Sequence, residues 1–279
     1  MNDSLVSVCI PTYNSEKFIE DSIRAVLAQS YSNIEVVVVD DCSSDSTVDI
    51  VKKLCEEDSR VRLICNPVNL GMTQNWNKCV LSCRGRYVKL IPADDIIYKD
   101  CIKTCVRVLE KHDDVFLVVV GTDLINNDNQ KVGQYIHGPF NGVYQGKKIS
   151  KISVLLNNFY GSPVNSMFRL DDFKKVGGFD DNIPYILDYD LWISLAGLGR
   201  VCFIKKNLSA FRVRDDSNSG KLMGLEKKKY TDEHIRLYDK HIRLKNVNLN
   251  RFERFLAILS RKIRNVIIND FINRKKSKK

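Results

Sequence analysis

Two pairs of adjacent carboxylates stand at the ends of apolar runs in this chain. Asp40 and Asp41 close Val36-Val37-Val38-Val39, and Asp94 and Asp95 follow Lys89-Leu90-Ile91-Pro92-Ala93. The first pair suits a nucleobase and ribose better than bare phosphates. A phosphate cradle would call for glycines and a lysine, and no GxxxxGK[ST] loop occurs. The second pair suits Mg²⁺ or Mn²⁺, which bind few carboxylates and share their remaining sites with substrate phosphates. A third acid, Asp188 in Leu187-Asp188-Tyr189-Asp190-Leu191-Trp192, opens a helical stretch. There a carboxylate can simply cap the helix. Arg212 and Arg214 alternate in Phe211-Arg212-Val213-Arg214, just before the polar run Asp215–Ser219. They suit a diphosphate, or simply the solvated edge of a sheet. Asp45 or Ser46 is explained by capping of the helix that starts near Thr47. Asp40 and Asp41 still belong to a strand end and are not.

These groups need a scaffold that brings strand ends together. The first 120 residues alternate strand and helix, with strands expected near 5–10, 34–40, 61–65, 87–91 and 115–121. Helices are expected near 16–29, 47–58, 73–83 and 99–111. That order predicts a Rossmann-like α/β fold, a mostly parallel sheet with helices on both faces, in which ligands bind at the carboxyl ends of the strands. Asn127-Asp128-Asn129-Gln130 reads as a hairpin tip. A helix near 149–157, a strand near 163–168, a helix near 188–198 and strands at 201–205 and 208–213 complete the body.

Of 279 residues, 44% are hydrophobic, enough for a full core. Nine cysteines, an odd count without a tight framework, read as free thiols, and no secretory signal precedes Val8. The expected location is therefore cytoplasmic. No apolar run approaches the ~20 residues of a membrane-spanning helix. Residues 221–279 hold 18 Lys/Arg against 6 Asp/Glu, while residues 1–220 hold 26 against 28. The basic tail reads as helical over 222–244 and 251–272. In the second segment Phe252, Phe255, Leu256, Leu259, Ile263, Val266, Ile267 and Phe271 recur at helical spacing, with cations mostly elsewhere on the wheel. Such a tail packs on its own domain, pairs two copies as a homodimer, or lies on an anionic membrane at the inner face of the cell envelope. Nucleic acid is not expected, because the body lacks a recognised module or an interleaved aromatic platform.

Taken in order, SVCIPTYN, VVDDCSSDST, NLGMTQNWN, IPADD, GGFD, LDYDLW and FRVRDDSNS resemble the inverting family 2 glycosyltransferases of GT-A fold, over roughly residues 5–220. The resemblance implies a catalytic domain at 1–220, with a nucleotide-binding half to about 121 and an acceptor half beyond it. The basic extension would occupy 221–279. It implies a nucleotide-diphospho-sugar donor, by family habit a UDP-sugar, and a glycan or lipid-linked glycan acceptor in bacterial surface polysaccharide synthesis. Pro11, Thr12 and Tyr13 would surround the nucleobase, with Asp41 accepting its N–H and Asp40 beside it. Asn69 and Gly71 would belong to the loop closing over the nucleoside. Asp94 would face the ribose, Asp95 the metal, Mn²⁺ or Mg²⁺. Asp188 would be the catalytic base and Arg214 would lie near the diphosphate. Pro92 and Leu187 replace acids that fuller forms of these motifs carry.

Overall fold

The computed structural model describes residues 4–135, 137–138, 140–214 and 227–276. Four β-branched runs form β1 (Val6–Thr12), β2 (Ile34–Asp40), β3 (Val61–Cys65) and β4 (Tyr87–Leu90). The helices α1 (Ile19–Leu27), α2 (Thr47–Glu57) and α3 (Met72–Leu81) connect them. Strand periodicity sends Val36 and Val38 to one face of the sheet and Val37 and Val39 to the other, and all four are buried. A strand apolar on both faces needs helices on both sides. On one side α1, α2 and α4 (Cys101–Lys111) cover Val8, Ile10, Val36 and Val38. On the other, α3, α5 (Gly146–Leu155), α6 (Leu170–Val176) and α7 (Leu187–Leu198) cover Cys9, Val37, Val39 and Leu90.

The sheet continues through β5 (Ile96–Ile97), β6 (Val115–Ile125), β9 (Ser166–Arg169) and β10 (Arg200–Arg212), in the order β3-β2-β1-β4-β9-β6-β10-β5. Strands β1 to β4 pair in parallel, and β9 runs antiparallel between β4 and β6. The chain winds outward from β1 in both directions. A crevice therefore opens at the carboxyl ends of β1, β2 and β4, the switch point where α/β sheets bind ligands. The hairpin tip at 127–130 joins β6 to β7 (Lys131–Tyr135), and β8 (Gly142–Gln145) pairs with β10.

Three elements differ from the sequence expectation. The two strands expected at 201–205 and 208–213 are one strand, β10, whose register shifts on both sides of Asn207. The polar Lys205-Lys206-Asn207 break is a bulge, which bends a strand without ending it. The strand expected at 163–168 begins with a 3-10 turn at Pro163–Asn165, consistent with the missing N–H of proline. The tail helices α8 (Lys227–Arg243) and α9 (Arg251–Lys276) have no separate core. Leu237, Tyr238, Val247 and Ala257 are buried in the same cluster as Trp192, so residues beyond 220 complete the body of the fold. No described helix is long and apolar enough to cross a membrane.

Candidate active site

Thr12, at the end of β1, has a buried Oγ1 with no hydrogen-bond partner among the described residues. Its carbonyl accepts the N–H of Asp41, which stitches the ends of β1 and β2 together (2.9 Å). The two following loops are laced side by side. Asn14 N–H donates to Ser43 Oγ (2.8 Å), Ser44 N–H to Asn14 Oδ1 (2.9 Å) and Ser15 N–H to Thr47 Oγ1 (2.7 Å). Pro11 is buried beneath them and Tyr13 stands exposed, a free aromatic face at the rim of the crevice.

Asp40 and Asp41 prove to have separate structural duties. Asp40 accepts from the N–H and Oγ of Ser43 (2.9 and 2.5 Å) and fixes the turn after β2. Asp41 is buried and takes three donors: Asn66 Nδ2 (2.8 Å), Leu70 N–H (2.8 Å) and Gly71 N–H (2.9 Å). Asn69 Nδ2 donates to the Asp41 carbonyl (3.0 Å). Asp41 thus pins the whole 66–71 loop, including Asn69 and Gly71, across the mouth of the crevice. Only Oδ2 of Asp41, with one donor, retains clear capacity for another. Gly71 begins α3 with φ +81°, a backbone conformation that L side chains rarely adopt. From α3, Asn77 exchanges two hydrogen bonds with the backbone of Phe179, and Trp76 packs edge-on against that ring. These contacts dock the Gly177-Gly178-Phe179-Asp180 turn on the nucleotide half.

The two acids after β4 part company. Ser22 Oγ in α1 donates to the carbonyls of Ala93 and Asp95 (2.9 and 2.7 Å). Asp95 has no exposed surface, and its Oδ1 accepts the N–H of Arg212 (2.9 Å). Asp94 keeps 21% of its side chain exposed, and its Oδ2 meets the Arg214 guanidinium at 3.0 Å. The acid expected on the metal, Asp95, is therefore turned inward, and the acid expected at the ribose, Asp94, is the one open to the crevice. Burial, and then the neighbouring charge of Asp94, push the Asp95 carboxyl well above the usual range. Its Oδ2 is buried without a hydrogen-bond partner among the described residues. Such a pair gains from a nearby cation, so the residues present fit a divalent metal held from the crevice by Asp94.

The alternating arginines also divide. Arg212 is buried, and its guanidinium donates to the Asp94 carbonyl (2.8 Å), the Asn126 carbonyl (2.6 Å) and Asn129 Oδ1 (2.6 Å). It clamps the hairpin tip to the carboxylate loop, which engages three of its five guanidinium N–H groups. Arg214 is the cation at the crevice, lying with Arg212 against the ring of Phe18 (5.2 and 4.6 Å). Asp215–Ser219, the rest of that motif, lie outside the described residues, as do residues 222–226 of the expected tail helix.

Asp188 occupies the first turn of α7 and is partly buried. Its Oδ1 accepts the N–H of Tyr189 (2.8 Å), and burial pushes its pKa up to about 6 despite that bond. Asp190, two residues on, is fully buried between Lys240 Nζ (2.7 Å) and His241 Nε2 (2.9 Å) of α8. Lys240 also reaches Asp180 of the Gly-Gly-Phe-Asp turn (2.9 Å), and Glu233 accepts the N–H of Tyr185 (2.9 Å). Helix α8 thereby braces the loop that carries Asp188. Sequence reasoning missed this brace because its residues lie fifty positions from their partners. The one available signal was the charge in an otherwise apolar α7. Removing one member of a buried ion pair strands the other. Lys240→Met is expected to lower stability by up to about 3 kcal/mol in urea unfolding, with His241 retaining part of the pairing.

An α/β sheet with paired carboxylates and an arginine at its switch point, plus a half-buried acid on a helix start, defines a GT-A fold. Residues 7–177 match the family model described as Glycosyl transferase family 2, and the chain belongs to that family. It is 29% identical over 217 residues to a putative teichuronic acid biosynthesis glycosyltransferase of Bacillus subtilis, covering 77% of this chain and 81% of that protein. It is 25% identical over 226 residues to the hyaluronan synthase of Pasteurella multocida, covering 81% of this chain. The chain spans only 22% of that synthase's length, and 31% of a similar Escherichia coli chondroitin synthase. In structure it resembles S. aureus TarS in complex with UDP-GlcNAc (TM-score 0.71, 18% identity, 91% of this chain and 70% of that one). It also resembles a Pyrobaculum calidifontis mannosyltransferase in complex with GDP-Man and Mn²⁺ (TM-score 0.60, 18% identity, 92% of this chain and 68% of that one).

Proposed function

We propose that this protein transfers a sugar from a nucleotide-diphospho-sugar to an acceptor hydroxyl with inversion, in the synthesis of a bacterial surface polysaccharide. The observation that carries the reading is Asp188: a carboxylate that burial holds near pKa 6 at the start of α7, although it accepts the N–H of Tyr189. A general base works best with a pKa near the operating pH. Asp188 would take the proton of the acceptor hydroxyl as its oxygen attacks the anomeric carbon. One displacement at that carbon inverts its configuration.

The rest of the crevice supports the donor half of the reaction. Tyr13 offers a face for a base, and Thr12 Oγ1 and Asn66 Oδ1 are buried polar atoms with no partner among the described residues. Asp41 and the loop it pins, with Asn69 and Gly71, would close over the nucleoside. Asp94 would hold Mn²⁺ or Mg²⁺, a cation that supplies charge to offset what develops on the leaving diphosphate. Arg214, now on Asp94, would add a second positive charge to that oxygen cluster. UDP is the favoured nucleotide, on the likeness to TarS in complex with UDP-GlcNAc.

The experiment is release of free nucleoside diphosphate from a panel of UDP-, GDP- and dTDP-sugars with Mn²⁺, followed by the anomeric configuration of the product. Binding of a donor with no release under any acceptor would instead support a non-catalytic, nucleotide-sugar-binding scaffold. The pH profile gives a second check. Asp188 acts as a base only when ionised, so kcat/KM should fall about tenfold per pH unit below about 6 and level off above it. In Asp188→Asn that acid limb should disappear from whatever activity remains.

A further inference from the structure

Over residues 251–263 of helix α9, one face packs on the body of the fold and another is apolar and exposed. On the inner face Ala257 is buried, Ser260 Oγ donates to the Leu155 carbonyl (3.3 Å) and Glu253 pairs with Lys151 of α5 (2.7 Å). Arg261 on the same face lies over the ring of Tyr230 (5.9 Å). At about 100° per residue, Phe252, Phe255, Leu256, Leu259 and Ile263 fall within one stripe roughly 100° wide, facing away from Ala257 and Arg261. All five are exposed, Phe252 to 66% and Phe255 to 59%. Ile152 of α5 and Leu156 just past its end, next in sequence to Lys151 and Leu155 that touch α9, are exposed as well. A contiguous apolar surface of this kind marks an interaction site rather than ordinary exposure.

We propose that this outer face of α9 docks on an anionic lipid bilayer. The charge selects that occupant. Residues 251–279 hold 10 Lys/Arg against 2 Asp/Glu, whereas residues 1–220 are nearly balanced. Exposed Arg251 and Lys262 border one edge of the apolar stripe. A second copy of the chain would bring two such cationic segments together, which like-charge repulsion opposes. A surface of acidic headgroups over acyl chains satisfies both the stripe and its cationic border, and an amphipathic helix so built lies in the interface plane. The inner face of the same helix reaches Tyr230, whose phenol feels the charge of Asp188. The docked helix would thus hold the base side of the crevice near the membrane. This docking stands independently of the donor assignment.

Deleting the helix is a poor test, because Ala257 belongs to the core. The full chain should instead be sedimented with phosphatidylcholine vesicles, with and without about one quarter phosphatidylglycerol, at low and high salt. The expected result is sedimentation only with the anionic vesicles, reversed by high salt. The variant Phe252→Ser/Phe255→Ser/Leu259→Ser should lose at least about tenfold in vesicle affinity with an unchanged Tm and unchanged donor hydrolysis in solution. Absence of vesicle binding, or equal binding by the variant, overturns the proposal. So does a dimer in light scattering that the same variant dissolves, which would assign the face to a second copy.

Discussion

Asp188→Asn is expected to lower kcat by about 10²–10⁴-fold, the range a general base contributes, while donor KM changes little. Asparagine keeps the side-chain oxygen that accepts the Tyr189 N–H, so the start of α7 is preserved and only the proton acceptor is lost. Stability separates this outcome from misfolding. The carboxyl of Asp188 sits at about 6 in the fold, above the ordinary value near 3.9 of an unfolded chain. Its contribution is therefore fully present below the unfolded value and is lost as pH rises through about 6. At pH 7 the ionised Asp188 is a burden on the fold, and the neutral asparagine should leave Tm unchanged or higher. Asp190→Asn should behave in the opposite way. It weakens the pairing with Lys240 and His241, so melting temperature falls and activity falls only with it. Should Asp190→Asn lose turnover at full stability while Asp188→Asn keeps it, the base has been placed two residues too early.

The parallel half of the sheet was legible because its signals are local. Val36–Val39 is apolar on both faces, its length is that of a strand, and the polar residues that follow can only be a loop. The same run located Asp40 and Asp41 at the crevice, but spacing could not reveal that Asp41 pins residues 66–71, because two of the three donors are backbone N–H groups, which any residue supplies. The adjacent acids Asp94 and Asp95 look equivalent in sequence. They differ because successive side chains point in different directions, and because Arg212, more than a hundred positions later, caps only one of them. How the tail is fastened was not legible for a related reason. Its net charge dominates the composition, while the few residues that fasten it, Glu233, Leu237, Tyr238, Lys240 and His241, make contacts that appear only once α8 is laid on α7.

That asymmetry between the two acids sets the other large effect. Asp94→Ala is expected to abolish metal-dependent transfer, and with it the Mn²⁺ enhancement of nucleoside-diphosphate binding measured by calorimetry. Asp94 is the carboxylate open to the crevice, and a cation that relies on one or two carboxylates plus phosphate oxygens has little else to hold it. The substitution should leave Tm nearly unchanged, since Asp94 is partly exposed and its ion pair with Arg214 lies at the surface of the site. Asp95→Ala should reverse that balance. It deprives the buried Arg212 N–H of its acceptor and opens space under the loop, costing about 1–3 kcal/mol of stability. Metal binding would then fall only as far as the loop moves. Excess EDTA should silence the wild-type protein as Asp94→Ala does. Full activity in EDTA, or Mn²⁺ binding that survives Asp94→Ala and vanishes in a fully folded Asp95→Ala, would return the metal to the inner acid and remove Asp94 from the chemistry.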